Sequence, residues 1–130
     1  MTIVEHIKFW LDSAEDDLES ATINYESNRY NWCLFIGHLA LEKALKANFV
    51  RVNENKVPPK IHDLIKLSAL SNIELDEETK QFFYILNKFN LEARYPEYKS
   101  DMSKIATKEF TSETFNKIKE KFKWLKSLTI

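Results

Sequence analysis

This chain contains a single glycine among its 130 residues, and that scarcity limits the folds open to it. Phosphate-binding loops of the Walker type and dinucleotide-binding fingerprints both need several glycines at fixed spacing, so neither motif is present. Tight β-hairpins also depend on glycine, which argues against an all-β fold. The secondary structure then has to be inferred from the spacing of the apolar residues.

Apolar residues recur three or four positions apart through most of the chain, which is the spacing of an amphipathic helix. The pattern predicts about five helices, over residues 3–25, 30–52, 61–71, 76–95 and from about 112 onward. Asp76 is the predicted N-cap of the fourth helix. Thr111 is that of the fifth, with Phe110 and Phe115 as a hydrophobic staple. Residues 97–109 are predicted to be a loop, and the whole pattern predicts an all-α fold, an antiparallel up-and-down bundle.

The length is that of a single domain, which we assign to residues 1–130. The 19 Lys and Arg residues nearly balance the 20 Asp and Glu residues, so the formal net charge is -1. This balance argues against nucleic-acid binding through bulk charge alone, although a local basic patch is compatible with it. One cysteine excludes an internal disulfide, and nothing resembles a targeting signal or a membrane span, so we expect a cytoplasmic protein.

The second predicted helix is apolar on most sides, which is typical of a central helix packed by several neighbours. A polar line interrupts it, made of residues four apart with one lysine beside them: His38, Glu42, Lys46 and Lys43. One interpretation is an exposed strip on which Glu42 and Lys46 form an ion pair. The other is the wall of a cleft that His62 and Arg94 also reach. The sequence leaves both interpretations open.

The sequence gives little evidence for a metal site or for a catalytic nucleophile. His38 and Glu42 have a spacing that puts two metal ligands on one helix face, and His62 and Asp63 add candidates. A closed metal site needs several ligands, and the chain has neither a cysteine cluster nor repeated histidine spacing, so we expect no metal and no other cofactor. Cys33 lies in an apolar stretch and is predicted to be a small core residue. No glycine-flanked serine supports a Ser-His-Asp site.

The predicted end of the fourth helix combines an arginine, two tyrosines and a lysine in Arg94-Tyr95-Pro96-Glu97-Tyr98-Lys99. This mixture is suited to stacking on a base and binding phosphate. Alternatively, the tyrosines are half-buried and Arg94 pairs with an acid, which pins the loop to the bundle. For a phosphate-bearing ligand, the candidate binding residues are Lys43, Lys46, His62 and Arg94 for charge, Tyr95 for stacking, and His38 and Glu42 for orientation. We assign no catalytic residue.

Segments in the expected order resemble the HEPN domain family (higher eukaryotes and prokaryotes nucleotide-binding), in its small stand-alone prokaryotic type. Residues 38–47 (HLALEKALKA) resemble the central helix of the family, and residues 58–64 (PPKIHDL) resemble the turn that follows it. Residues 90–98 (NLEARYPEY) resemble a third signature of the family. Residues 10–21 are similar to the family's first helix, so the resemblance covers most of the chain.

The resemblance implies a helical bundle that forms a homodimer and binds nucleotides or RNA, often as the partner subunit of a minimal nucleotidyltransferase in a toxin–antitoxin-like pair. Ribonucleases of the family carry an arginine followed, after four to six residues, by a histidine; here Lys99, Ser100 and Asp101 follow Arg94 at those positions. The leading prediction is therefore a non-catalytic module that binds a nucleotide, RNA or a protein partner. The alternatives are a metal-independent ribonuclease with a displaced base, His38 or His62, and a purely structural dimerisation domain.

Overall fold

The computed structural model describes residues 1–95 and 104–130. These residues contain no strand. They form four long helices, α1 (Ile3–Glu26), α2 (Tyr30–Val52), α4 (Glu77–Ala93) and α5 (Lys108–Ser127), and the short helix α3 (Leu64–Leu70). The predicted all-α fold is confirmed. The second helix has the predicted bounds, because apolar residues recur at helical spacing from one polar turn to the next.

The core of the bundle surrounds α2, which packs against each of the other four helices. Its fully buried apolar side chains include Leu34, Leu41 and Leu45. They are met by Ala14 and Ala21 from α1, and by the side chains that α3, α4 and α5 bury: Leu64, Leu67, Phe83, Leu86, Ile118 and Leu125. Because most of its surface is covered by the other helices, α2 holds many of its polar residues in an apolar environment, which makes its polar line unusual.

Side-chain caps fix where the helices around the polar line begin. The Asp63 side chain accepts hydrogen bonds from the backbone N–H groups of Ile65 at 3.0 Å and Lys66 at 3.2 Å, so α3 starts at Leu64. This start is later than the one predicted from the apolar spacing, which included Ile61. Asp76 caps α4 as predicted, since its Oδ1 atom accepts from the Thr79 N–H group at 2.7 Å.

The predicted start of the fifth helix is wrong. Thr107, and not Thr111, is the N-cap of α5, and its hydroxyl accepts from the Phe110 N–H group at 3.2 Å. Thr111 is fully buried inside the helix. By residue type, both threonines are suitable N-caps. Packing favours the earlier one, because Phe110 then contacts Phe89 of α4, with ring centroids 5.8 Å apart.

The region between α4 and α5 was predicted to be a loop over residues 97–109, and most of it lies outside the described residues. Residues 104 and 105 are helical, and Lys108 and Glu109 already belong to α5, so the predicted loop is too long at its end. In the part of the chain that the structure describes, no helix combines the length and apolar character needed to cross a membrane.

Candidate functional site

A cleft opens between the turn that precedes α3 and the C-terminal half of α4. Its volume is about 380 Å³. It is lined by His62, Asp63, Asn87, Asn90, Leu91, Arg94 and Tyr95. Three of these residues are among the ligand-binding residues predicted from the sequence, namely His62, Arg94 and Tyr95. The turn that carries His62 and the end of α4 that carries Arg94 therefore line the same cleft, as one interpretation of the sequence expected.

The imidazole of His62 is held from behind by a buried carboxylate. Its Nδ1 atom lies 2.8 Å from the Oε1 atom of Glu42, and Glu42 is only 4% exposed. Because a carboxylate accepts hydrogen bonds, the proton of this contact is on Nδ1 of His62. The Nε2 atom, on the other side of a ring whose side chain is 49% exposed, is then left to meet a ligand.

The second oxygen of Glu42 accepts from Lys46, with Oε2 and Nζ 3.0 Å apart. Both side chains are buried, so the predicted ion pair exists but does not lie on an exposed strip. The Lys46 ammonium also lies 5.4 Å from the centre of the Trp10 ring. Lys46 therefore neutralises Glu42 inside the bundle and does not line the cleft.

His38 lies under the cleft and is fully buried. Its Nε2 atom donates to Oδ1 of Asn87 at 3.1 Å, and the same oxygen accepts from the Leu64 N–H group at 3.1 Å. The Nδ2 atom of Asn87 donates to Asp63 at 3.0 Å, which fixes the amide orientation. Burial lowers the pKa of His38 to about 4, although the bond to Asn87 opposes the shift. His38 is therefore a neutral structural link at physiological pH.

Arg94 stands at the end of α4 on the rim of the cleft. Its Nε atom donates to Oδ1 of Asn90 at 3.2 Å, and its guanidinium lies 5.8 Å from the centre of the Phe35 ring. Among residues 1–95 and 104–130, no carboxylate forms an ion pair with it. The alternative in which Arg94 pairs with an acid is thus not seen in these residues. The exposed guanidinium is placed to receive an anion.

Lys43 is not part of this arrangement. It forms an ion pair with Asp17 of α1, with Nζ and Oδ2 2.9 Å apart. One residue after Glu42 is a rotation of about 100° around the helix, which turns Lys43 away from His62. Cys33 is buried as predicted, and burial raises the pKa of its thiol to about 12, so it is unsuited to act as a nucleophile.

Two further features bear on the predictions. No group of three or more histidine, cysteine or acidic residues in the described ranges is placed to hold a metal ion. Residues 96–99, which complete the Arg-Tyr-Pro segment, and Ser100 and Asp101 after them lie outside the described residues.

Sequence reasoning missed Asn87, Asn90 and Leu91 as residues of the cleft. With Arg94 they have the spacing i, i+3, i+4 and i+7, which places all four on one face of α4. Asn90 is nearly fully buried, although asparagine is usually exposed, and its Nδ2 atom has no partner among the described residues. The face was detectable by counting from Arg94 back along the helix.

Comparisons with known proteins found a family match and a similar crystal structure. A sequence model described as HEPN domain matches residues 7–128. The crystal structure of TT1696 from Thermus thermophilus superposes with a TM-score of 0.75 at 20% sequence identity, covering 93% of this chain and 96% of that one. At this identity the likeness shows a shared fold. No curated protein sequence matches the chain.

Proposed function

We propose that this chain, which belongs to the HEPN domain family, binds a nucleotide, or one nucleotide of an RNA strand, in the cleft without catalysing a reaction on it. The observation that carries this proposal is that His62 and Arg94, which are distant in sequence, line one cleft of about 380 Å³. The volume falls within the usual range for small-molecule sites of about 300–1,000 Å³.

The two ends of a nucleotide find suitable partners in this cleft. The Arg94 guanidinium is a charge-assisted donor for phosphate oxygens, and Nε2 of His62 adds a further polar contact. The side chains of Leu91 and Tyr95 offer an apolar and aromatic surface for the base. One cation and one imidazole make a compact site, which is consistent with a net charge of -1.

Calorimetric titration with uridine and adenosine monophosphates tests this proposal. We expect Arg94→Ala to weaken binding at least tenfold, the factor that the loss of a charge-assisted contact of about 1.5–3 kcal/mol predicts. Added salt should weaken binding to the native chain. Lys88→Ala is the matched control, because Lys88 is an exposed cation on the same helix that does not line the cleft. If neither nucleotide binds, or if both variants bind as the native chain does, the proposal fails.

A second candidate function is metal-independent RNA cleavage, and the Glu42–His62 contact favours it. With Nδ1 held by a carboxylate, Nε2 of His62 is oriented as a general base. It would take the proton of a ribose 2′-hydroxyl while the 2′-oxygen attacks phosphorus and the bond to the 5′-oxygen breaks. The leaving oxygen takes a proton from water, and Arg94 would stabilise the charge on the phosphoryl oxygens.

Incubation of labelled RNA with the protein in a chelator separates the two candidates. The binding module leaves the RNA intact. The nuclease releases ends with a 2′,3′-cyclic phosphate, and both His62→Ala and Arg94→Ala abolish that product. Cleavage that survives both substitutions would come from a contaminant.

The family resemblance also suggests a homodimer and a nucleotidyltransferase partner in a toxin–antitoxin-like pair. Exposed apolar and aromatic side chains run along α4 and past its end, with Tyr84 exposed by 56%, Leu91 by 55% and Tyr95 by 46%, which supports a protein contact at and next to the cleft. Light scattering on the pure chain tests the dimer. Co-purification with a nucleotidyltransferase from a neighbouring reading frame tests the partner. A dimer that binds neither nucleotide nor partner would favour the purely structural alternative.

A further inference from the structure

A second pocket lies at the turn between α1 and α2. Its volume is about 340 Å³. It is lined by Asn28, Arg29, Tyr30, Asn31 and Trp32, and by Ala106 from the segment before α5. Arg29 is exposed, and Trp32 is 38% exposed. This pocket combines an arginine with two aromatic side chains, Tyr30 and Trp32, as the cleft combines Arg94 with Tyr95.

A continuous row of contacts joins this pocket to the cleft. The rings of Trp32 and Phe35 meet edge to face, with centroids 5.7 Å apart and an interplanar angle of 89°. The Arg94 guanidinium lies 5.8 Å from the centre of the same Phe35 ring. Trp32 lines the pocket and Arg94 lines the cleft, so Phe35 is the bridge between the two hollows.

Each of the two hollows that the row joins has one arginine in its lining. The chain has three arginines; Arg94 ends the row at the cleft, and Arg29 lines the pocket at its other end together with Trp32. In the described ranges neither one forms an ion pair with a carboxylate. Arginine binds phosphate and aromatic rings stack on bases, so the row offers both kinds of group that a single strand requires.

We propose that the pocket at Arg29 and Trp32 is a second nucleotide subsite, so that the ligand of this protein is a single-stranded oligonucleotide and not a mononucleotide. The inference rests on the proposed function, since it takes the cleft as the first subsite. Each arginine contacts one phosphate, and a base stacks on the Trp32 ring, which is 38% exposed. Stacking of this kind accepts any base, so we expect weak sequence preference.

The test compares uridine monophosphate with a fluorescent five-nucleotide oligouridylate at fixed salt. We expect the native chain to bind the oligonucleotide at least tenfold more tightly than the mononucleotide. Arg29→Ala should abolish most of that difference and leave the mononucleotide affinity unchanged. Arg51→Ala is the matched control, because Arg51 is the remaining arginine and is exposed near the far end of α2. Trp32→Phe keeps an aromatic face and should retain most of the difference, whereas Trp32→Ala should lose it.

The outcomes separate this inference from the proposed function. If the mononucleotide binds through Arg94 but the oligonucleotide binds no more tightly, or if Arg29→Ala leaves its affinity unchanged, the second subsite is refuted and the cleft stands. If neither probe binds, the proposed function fails and the inference fails with it. A loss of oligonucleotide binding that Arg51→Ala reproduces would indicate bulk charge and would also refute the subsite.

Discussion

The Oε1 atom of Glu42 lies 2.8 Å from the Nδ1 atom of His62 and connects the interior of the bundle to the cleft. The other oxygen of the same carboxylate accepts from the buried Lys46. One side chain thus neutralises a buried cation and orients an imidazole at the surface. The fold and the candidate site are coupled at this residue.

Removing the charge of Glu42 should destabilise the whole domain. In Glu42→Gln the Lys46 ammonium stays buried without its counter-charge, which typically costs about 3–5 kcal/mol. We expect a decrease of this order in the free energy of unfolding, measured by urea denaturation. The double variant Glu42→Gln with Lys46→Met should recover most of it, because no unpaired charge remains.

The control for this prediction is an exposed pair of the same type. Lys8 and Asp12 also form an i,i+4 ion pair, at 2.6 Å, but both side chains face solvent. Lys8→Met should leave the urea midpoint unchanged, because solvent screens the interaction. Equal effects at the two pairs would contradict the burial argument.

The buried His38 should make stability depend on pH. Its pKa is lowered to about 4 in the folded chain from the ordinary value of 6.5, so the unfolded chain binds more protons between these values. The contribution of neutral His38 to the free energy of unfolding is therefore fully present above about pH 6.5. It is lost as the pH falls towards 4, and the loss from this group alone is about 3 kcal/mol.

His38→Gln isolates the contribution of the histidine. Glutamine does not titrate, and its side-chain amide can replace Nε2 as the donor to Asn87. Urea denaturation of both proteins at intervals from pH 5 to 7.5 should give a shallower pH dependence for the variant. Parallel curves would mean that His38 is not buried in its neutral form.

The only glycine of the chain, Gly37, lies where α2 crosses α5. A Cβ atom there would meet Cδ1 of the fully buried Ile118 at 2.7 Å. Overpacking of this kind costs about 1–3 kcal/mol, more than the gain of about 1 kcal/mol that alanine brings to a helix. We therefore expect Gly37→Ala to lower the melting temperature.

A second substitution checks the cause. Ile118→Val removes the Cδ1 atom, and the next contact, to Cγ2 at 3.6 Å, is an ordinary one. In that background Gly37→Ala should be neutral or stabilising. If it is as harmful there as in the native chain, the close approach is not the reason for the glycine.

The sequence was sufficient for features that depend on local pattern. The bounds of α2 follow from an apolar run between two polar turns, and the Asp76 cap follows from an acidic first turn. The HEPN resemblance, confirmed by the match over residues 7–128, came from short segments in a fixed order. These signals are contained within one helix or turn at a time.

Features that depend on packing between helices were not predictable in the same way. Lys43 and Lys46 carry the same charge three residues apart, yet one meets Asp17 and the other is buried on Glu42. Which partner each finds depends on how α1 and α2 cross. Asn87 joins His38 to the start of α3 through two long-range contacts, and no spacing within α4 indicates that role.

The start of α5 can be tested directly, because the sequence pattern predicts Thr111 as the N-cap and the structure has Thr107 there. Thr107 caps the helix, so Thr107→Ala should cost about 1 kcal/mol by removing the acceptor for the Phe110 N–H group. Thr111 is fully buried, and its hydroxyl has no partner among the described residues. Thr111→Val keeps the shape and removes the buried polar atom, so it should leave stability unchanged or raise it. Thermal unfolding of the two variants decides between the starts, because a cap at Thr111 would reverse their order.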